Sequence, residues 1–257
     1  MTQFTIKHFT KTLTLSIVLV ALSFITKAQN QKIKVYFNHP VNSAMSSGTV
    51  PYYTQYFQDT VAKLINNAKH TVDIAQYDYT SSSGGLVSTI ATACNAAVTR
   101  GVVVRWIYDG NAPNSGISLL SSGVQKLSSP TTGMASGYIM HNKFVVIDAN
   151  STTAADANIS TSSFDWSSSM ATSDYNNMVV IQDQTLAQAY DSQFNQMWGG
   201  HFSTNKTAST VNSFTVNGTP IQVYFSPLDG ASSQLTNLVN SANHELYFGI
   251  YTFTTSN

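Results

Sequence analysis

The chain has 257 residues, with 12 basic and 12 acidic side chains, no formal net charge, and only 9% charged residues against the usual ~25%. With 42% apolar and 11% aromatic residues, charge-driven disorder is excluded, and there is enough apolar surface for the core of one or two domains. Cys94 is the only cysteine, so an internal disulfide is excluded, and its apolar neighbours mark it as a small buried hydrophobe rather than a nucleophile. His39, His70, His201 and His244 are scattered singly without metal-ligand spacing, so neither a metal nor any other cofactor is expected.

Lys7 and Lys11 precede an apolar run from Leu13 to Ile25, and Thr26-Lys27-Ala28 places small residues at a cleavage site. Residues 1–28 therefore read as a secretory signal peptide, and the chain as secreted or periplasmic. An uncleaved anchor is the competing reading, but the run is short for a bilayer span of ~20 residues. Cleavage removes three lysines and leaves a net charge of −3. No later segment is long and apolar enough to span a membrane.

The remainder alternates strand-like and helix-like stretches. Val35–Phe37 reads as a strand, and Tyr56–Asn67 has helical spacing in Phe57, Val61, Leu64 and Ile65. Thr71–Tyr77 reads as a strand and Leu86–Thr99 as a helix ended by Gly101. Val102–Tyr108 is a β-branched run typical of a buried strand. A short helix is expected near Ile117–Leu120, one or two strands over Tyr138–Ile147, a strand over Asn177–Gln182 and a helix over Leu186–Trp198. This order predicts an α/β layered sandwich, a mixed central sheet flanked by helices, over residues 32–198. Residues 199–218, rich in Gly, Ser, Thr and Asn, read as a linker.

Beyond the linker the sequence repeats itself. Gln222-Val-Tyr-Phe-Ser-Pro227 matches Lys34-Val-Tyr-Phe-Asn-His-Pro40, and Leu238–Thr254 matches Leu64–Thr80. Residues 219–257 are therefore expected to be an incomplete second copy of the first half, with strands at Val223–Phe225 and Leu246–Tyr251 around a helix near Leu235–Ser241. Removing everything after about Gly200 is expected to leave a more soluble unit.

The sharpest local signal is Met140-His-Asn-Lys-Phe-Val-Val-Ile-Asp148, of the form H-x-K-x4-D. In a chain of this composition it would arise by chance roughly 0.01 times. Alternation along a strand puts His141 and Lys143 on one face, about 7 Å apart. Lysine can neutralise phosphate oxygens, and a neutral imidazole nitrogen can attack phosphorus. Asp148 closes the strand and can orient or charge-balance a neighbour.

These features resemble the phospholipase D superfamily, whose members carry two H-x-K-x4-D motifs in two similar halves. The resemblance covers Val35 to Asn257 and includes the Val-Tyr-Phe openings, the units ending in Tyr77 and Tyr251, and the strand Asn176–Ile181. It implies metal-free phosphodiester hydrolysis through a phosphohistidine. His141, Lys143 and Asp148 are the implied catalytic residues, and the histidine of the other half protonates the leaving alcohol. The family's phosphate-binding Gly-Ser-x-Asn maps onto Ser162, Ser163 and Asp165, or in a shorter register onto Asn158. A carboxylate at that position repels phosphate unless protonated or turned away. Asn176 stands where many members have a carboxylate, with Asp174 as a substitute. The second motif has no counterpart; a homodimer could supply the second histidine only if the surface beside His141 is free, and the second-half fragment argues against that.

Three functions follow. The leading one is a phospholipase D-type enzyme acting on phospholipid head groups. The alternatives are a metal-independent endonuclease of the same superfamily and a truncated, non-catalytic relative. A nucleic-acid partner is less expected, because only Arg100 and Arg105 supply guanidinium groups and the mature charge is negative.

Overall fold

The computed structural model describes residues 32–39, 54, 56–80, 86–132, 139–167 and 174–250. The expected signal peptide lies outside the described residues. Seven strands form the central sheet: β1 (Ile33–Phe37), β2 (Thr71–Gln76), β4 (Val103–Tyr108), β5 (Gln125–Ser128), β6 (Lys143–Ile147), β7 (Asn158–Ser162) and β9 (Asn177–Ile181), in the order β1-β9-β7-β6-β2-β4-β5. β2, β4 and β5 run parallel to one another, and the remaining pairs are antiparallel. The sheet is mixed and helices cover both faces, as the alternation of elements predicts. A second small sheet pairs β3 (Tyr79–Thr80) with β8 (Trp166–Ser167).

Alternation sorts each strand's side chains into two cores. Val72, Ile74, Val104, Trp106, Val145 and Ile147 face helices α1 (Phe57–Asn67) and α2 (Leu86–Thr99). Ala75, Ile107, Phe144, Val146 and Ile159 face α3 (Gln184–Trp198), meeting Leu186, Tyr190 and Phe194. Trp106 is fully buried, and burying a side chain of that kind contributes about 2–3 kcal/mol. Cys94 is also fully enclosed, and burial pushes its thiol up to about 12. The Asp183 side chain accepts from Leu186 N (3.0 Å) and starts α3, while Gly101, at φ +88°, follows α2.

Two strands of the central sheet, β5 and β7, are not among the elements expected from sequence. β7 is central, paired with both β6 and β9, yet its sequence Asn-Ile-Ser-Thr-Ser is polar. β5 reads Gln-Lys-Leu-Ser and is an exposed edge strand. In both, pairing with neighbours decides the conformation rather than apolar content.

The segment expected to be a linker packs against the first half. Phe202, Phe214 and Val216 are buried among Met197, Leu186 and Tyr190. A hairpin of β10 (Ser213–Val216) and β11 (Thr219–Gln222) turns at Asn217-Gly218, both at positive φ. Asp229 fastens this annex, accepting from Phe225 N (2.8 Å) and Ser209 N (2.7 Å). Truncation after Gly200 would therefore open the α3 core, which corrects the expectation of a soluble unit ending there. Of the expected second-copy elements, the helix is present as α4 (Ala231–Asn240). Val223–Phe225 and Leu246–Ile250 have no strand structure, although Val223 N donates to Asn212 O (2.9 Å) at the end of the β10–β11 hairpin.

Candidate active site

The register of the sheet gathers Phe37, Asn177, Ser162, Lys143, Gln76, Tyr108 and Ser128 at one end, here called the upper rim. Lys143 begins β6, and His141 stands just before it. Lys143, Val145 and Ile147 point to the α1/α2 face, and Asn142 points to the other, where its Nδ2 contacts the Met140 and Met197 sulfurs.

His141 and Lys143 come together more closely than their backbone spacing. Lys143 Nζ lies 3.1 Å from His141 Nε2 and 2.9 Å from Asp165 Oδ1. An ammonium can only donate, so the imidazole receives this bond at Nε2 and in its neutral form carries its proton on Nδ1. Lys143 is 9% exposed, whereas His141 opens to solvent. Burial and the Lys143 charge hold the His141 imidazole below its ordinary 6.5, with Asp165 and Asp109 opposing. Burial also lowers the Lys143 ammonium, and Asp165 opposes that shift. A neutral imidazole beside a buried cation, at a solvent-open rim, can attack an electrophilic centre whose anionic oxygens the cation holds.

Tyr77 completes this group. Its ring stands edge-on to His141 at 4.6 Å, and Lys143 Nζ lies 5.1 Å from its centroid. Tyr77 is not among the site residues expected from sequence. The signal that separates Tyr77 is its place immediately after Gln76, the register partner of Lys143. Asp109, also not singled out, accepts from Met140 N (2.8 Å) and holds the chain entering the motif.

The other expected site residues divide. Asp165 is buried against Lys143. Asn158 pairs with Ile147 at the opposite end of β6, and its Nδ2 donates to Asp156 O, so geometry favours the Asp165 register. Ser163 lies on the rim, but its hydroxyl donates to Asn176 Oδ1 (2.9 Å) and accepts from Asn177 N (3.1 Å), which links β7 to β9. Asn176 N donates to Asn38 Oδ1 (2.7 Å), and the Asp174 carbonyl accepts from Asn38 Nδ2 and faces His39 Nε2.

Asp148 requires correction. It lies five residues beyond Lys143, about 17 Å along an extended strand. Its carboxylate accepts from the backbone N–H groups of Lys69, His70 and Thr71 at 2.8, 2.8 and 2.7 Å. A motif aspartate expected at the site instead ties the start of β2 to the end of β6, at φ +51°. Among the described residues no group of His, Cys, Asp or Glu is arranged to hold a metal, and no helix is long and apolar enough to cross a membrane.

Known proteins can be set beside this geometry. No curated protein sequence matches the chain. Among solved structures, the phospholipase D family member Nuc from Salmonella typhimurium is 20% identical, covering 65% of this chain and 94% of its own, with a TM-score of 0.47. NucT from Helicobacter pylori is 20% identical, covering 65% and 97%, with a TM-score of 0.47. Polyphosphate kinase from Porphyromonas gingivalis is 15% identical, covering 82% and 30%, with a TM-score of 0.49. The family model described as "Cardiolipin synthase, PLD-like domain" matches residues 61–198. That span runs from α1 to the end of α3 and includes the whole H-x-K-x4-D strand, so this chain belongs to the phospholipase D-like family.

Proposed function

We propose that the chain is a secreted phosphodiesterase that hydrolyses phospholipid head-group phosphodiesters through a phosphohistidine. The observation that carries this is His141 Nε2 standing 3.1 Å from Lys143 Nζ on the solvent-open rim. Lys143 exchanges Asp165 for a non-bridging phosphate oxygen. His141 Nε2 then forms a bond to phosphorus as the bond to the head-group alcohol breaks. The departing oxygen takes a proton from a second histidine, supplied by a second copy of this chain, because the attacking nitrogen has none to give. That histidine next takes a proton from water, whose oxygen attacks phosphorus, and the phosphorus–nitrogen bond breaks to free His141.

Charge on the rim supports lipid over nucleic acid. Among the described strand ends there, Lys143 is the sole lysine or arginine, against Asp78, Asp109, Asp165 and Asp174. Segments 40–53, 81–85, 133–138 and 168–173, which adjoin these ends in sequence, hold no Asp, Glu, Lys or Arg. Both arginines are engaged elsewhere. Arg105 binds Asp73 with two nitrogens (2.6 and 2.9 Å), and Arg100 donates to Ile65 O. A polyanion tracked through several phosphates needs several free cations; one phosphodiester on a zwitterionic lipid needs one.

The test presents phosphatidylcholine vesicles and single-stranded DNA separately to the full chain and to His141→Ala. Choline release, together with an acid-labile phosphoprotein absent from His141→Ala, is expected. Cleavage of DNA without lipid would transfer the site to the nuclease reading, and cleavage of neither would make this a non-catalytic relative.

A further inference from the structure

The exposed aromatic side chains are not spread evenly. Among the described residues before α4, the large aromatics that stand exposed are Phe37 (41%), Tyr56 (54%) and Tyr175 (83%). All three lie on the upper rim, the end that carries His141. Phe37 ends β1, Tyr175 precedes β9, and Tyr56 precedes α1, beside the backbone bond from Thr54 N to Phe37 O (3.0 Å). They occupy one flank: β1 lies three strand spacings, about 14 Å, from β6, and β9 two, about 10 Å.

This flank is held in place. The Tyr175 ring stacks on His39 with centroids 4.1 Å apart at 25°. Asn38 clamps the same segment, donating to Asp174 O (2.8 Å) and accepting from Asn176 N (2.7 Å). A tyrosine that is mostly exposed yet fixed by a stacked ring and two buried-frame hydrogen bonds presents a prepared surface. Tyrosine and phenylalanine grouped this way suit the headgroup boundary of a bilayer, where the ring enters the apolar layer and the phenol stays wet. With Lys143 paired to Asp165 and no free lysine or arginine at these strand ends, attraction to anionic lipid has no source here.

We propose that Phe37, Tyr56 and Tyr175 form an interfacial anchor that docks the rim on a zwitterionic lipid surface and delivers the phosphodiester to His141. This rests on the lipid reading above and adds how the lipid is engaged. None of the three touches His141, Lys143 or Asp165 in any described contact, so docking and chemistry are separable.

The experiment compares the full chain with Tyr56→Ser/Tyr175→Ser. Both sites are exposed, and serine suits the helix-start position of Tyr56, which has no side-chain cap now, so the fold should persist. Two readouts are taken: sedimentation with phosphatidylcholine vesicles alongside hydrolysis of that lipid, and hydrolysis of the water-soluble diester p-nitrophenyl phosphorylcholine. The variant should lose about tenfold or more in vesicle partition and lipid hydrolysis, a tenfold loss corresponding to about 1.4 kcal/mol for the two rings together. Its rate on the soluble diester should be unchanged. Val103→Ser, exposed at the opposite end of β4, should change neither. Equal partition by variant and native chain, with lipid still cleaved, overturns the anchor and leaves the lipid reading standing. A native chain that cleaves the soluble diester but neither binds nor cleaves vesicles overturns the lipid reading itself. A variant that turns a dimer into a monomer would assign the aromatic flank to a second copy of the chain, and that also overturns the anchor.

Discussion

At the residue scale the proposed chemistry rests on three side chains in contact. His141→Ala removes the nucleophile and Lys143→Ala the phosphate clamp, so each should lower the phosphodiesterase rate at least about a thousandfold, measured as single-turnover rate at saturating substrate. The environment of His141 sets the pH dependence. Burial and Lys143 lower its pKa, so the imidazole stays neutral into more acid solution than a free histidine would. The acid limb of kcat/KM should therefore lie below 6.5, and a limb at or above 6.5 would count against His141 as the attacking base. Asp165 competes with phosphate for Lys143. Asp165→Asn should raise kcat/KM by a few-fold while lowering stability by about 3 kcal/mol, because it leaves a buried cation unpaired. Unchanged kcat/KM would show that phosphate does not displace this carboxylate.

At the element scale, β6 works at both ends. Its start holds Lys143 on the rim, and its end, through Asp148, holds the entry to β2. Asp148→Ala leaves three backbone donors without their acceptor and should cost about 3–5 kcal/mol in denaturant unfolding. The rate per folded molecule should stay near that of the native chain, in contrast to His141→Ala. A large rate loss at full stability would return Asp148 to the chemistry.

At the scale of the whole molecule, the annex after α3 belongs to the first half and α4 does not. Phe202, Phe214 and Val216 fill the α3 core, and Tyr190 meets the Phe225 ring edge-on at 5.1 Å. By contrast Leu235, Leu238, Val239, Leu246, Tyr247 and Phe248 are all exposed. Ending the chain after Gly230 should therefore keep the melting temperature and reduce aggregation seen by light scattering. Ending it after Gly200 should lower the melting temperature by several degrees or more. The reverse order would mean the annex packs only weakly.

What was legible in the sequence was whatever depends on neighbours a few residues away. The period of 2 in Met140–Asp148 pointed to one face for His141 and Lys143, whose side chains do meet although β6 begins only at Lys143, and the period of 3.6 in Leu86–Thr99 located α2 to the residue. The mixed α/β sheet followed from the order of such segments. Contacts across long separations were not legible. Asp165 meets Lys143 across 22 positions and Asp148 meets Thr71 across 77, and nothing in local pattern distinguishes a carboxylate that binds an ammonium from one that binds amides. β7 is polar enough to read as loop and becomes a strand only because β6 and β9 supply ladder partners on both sides. The sequence alone determined which residue types stand together on a strand; tertiary structure decided which of them share a desolvated site, because register and burial are set by segments remote in the chain.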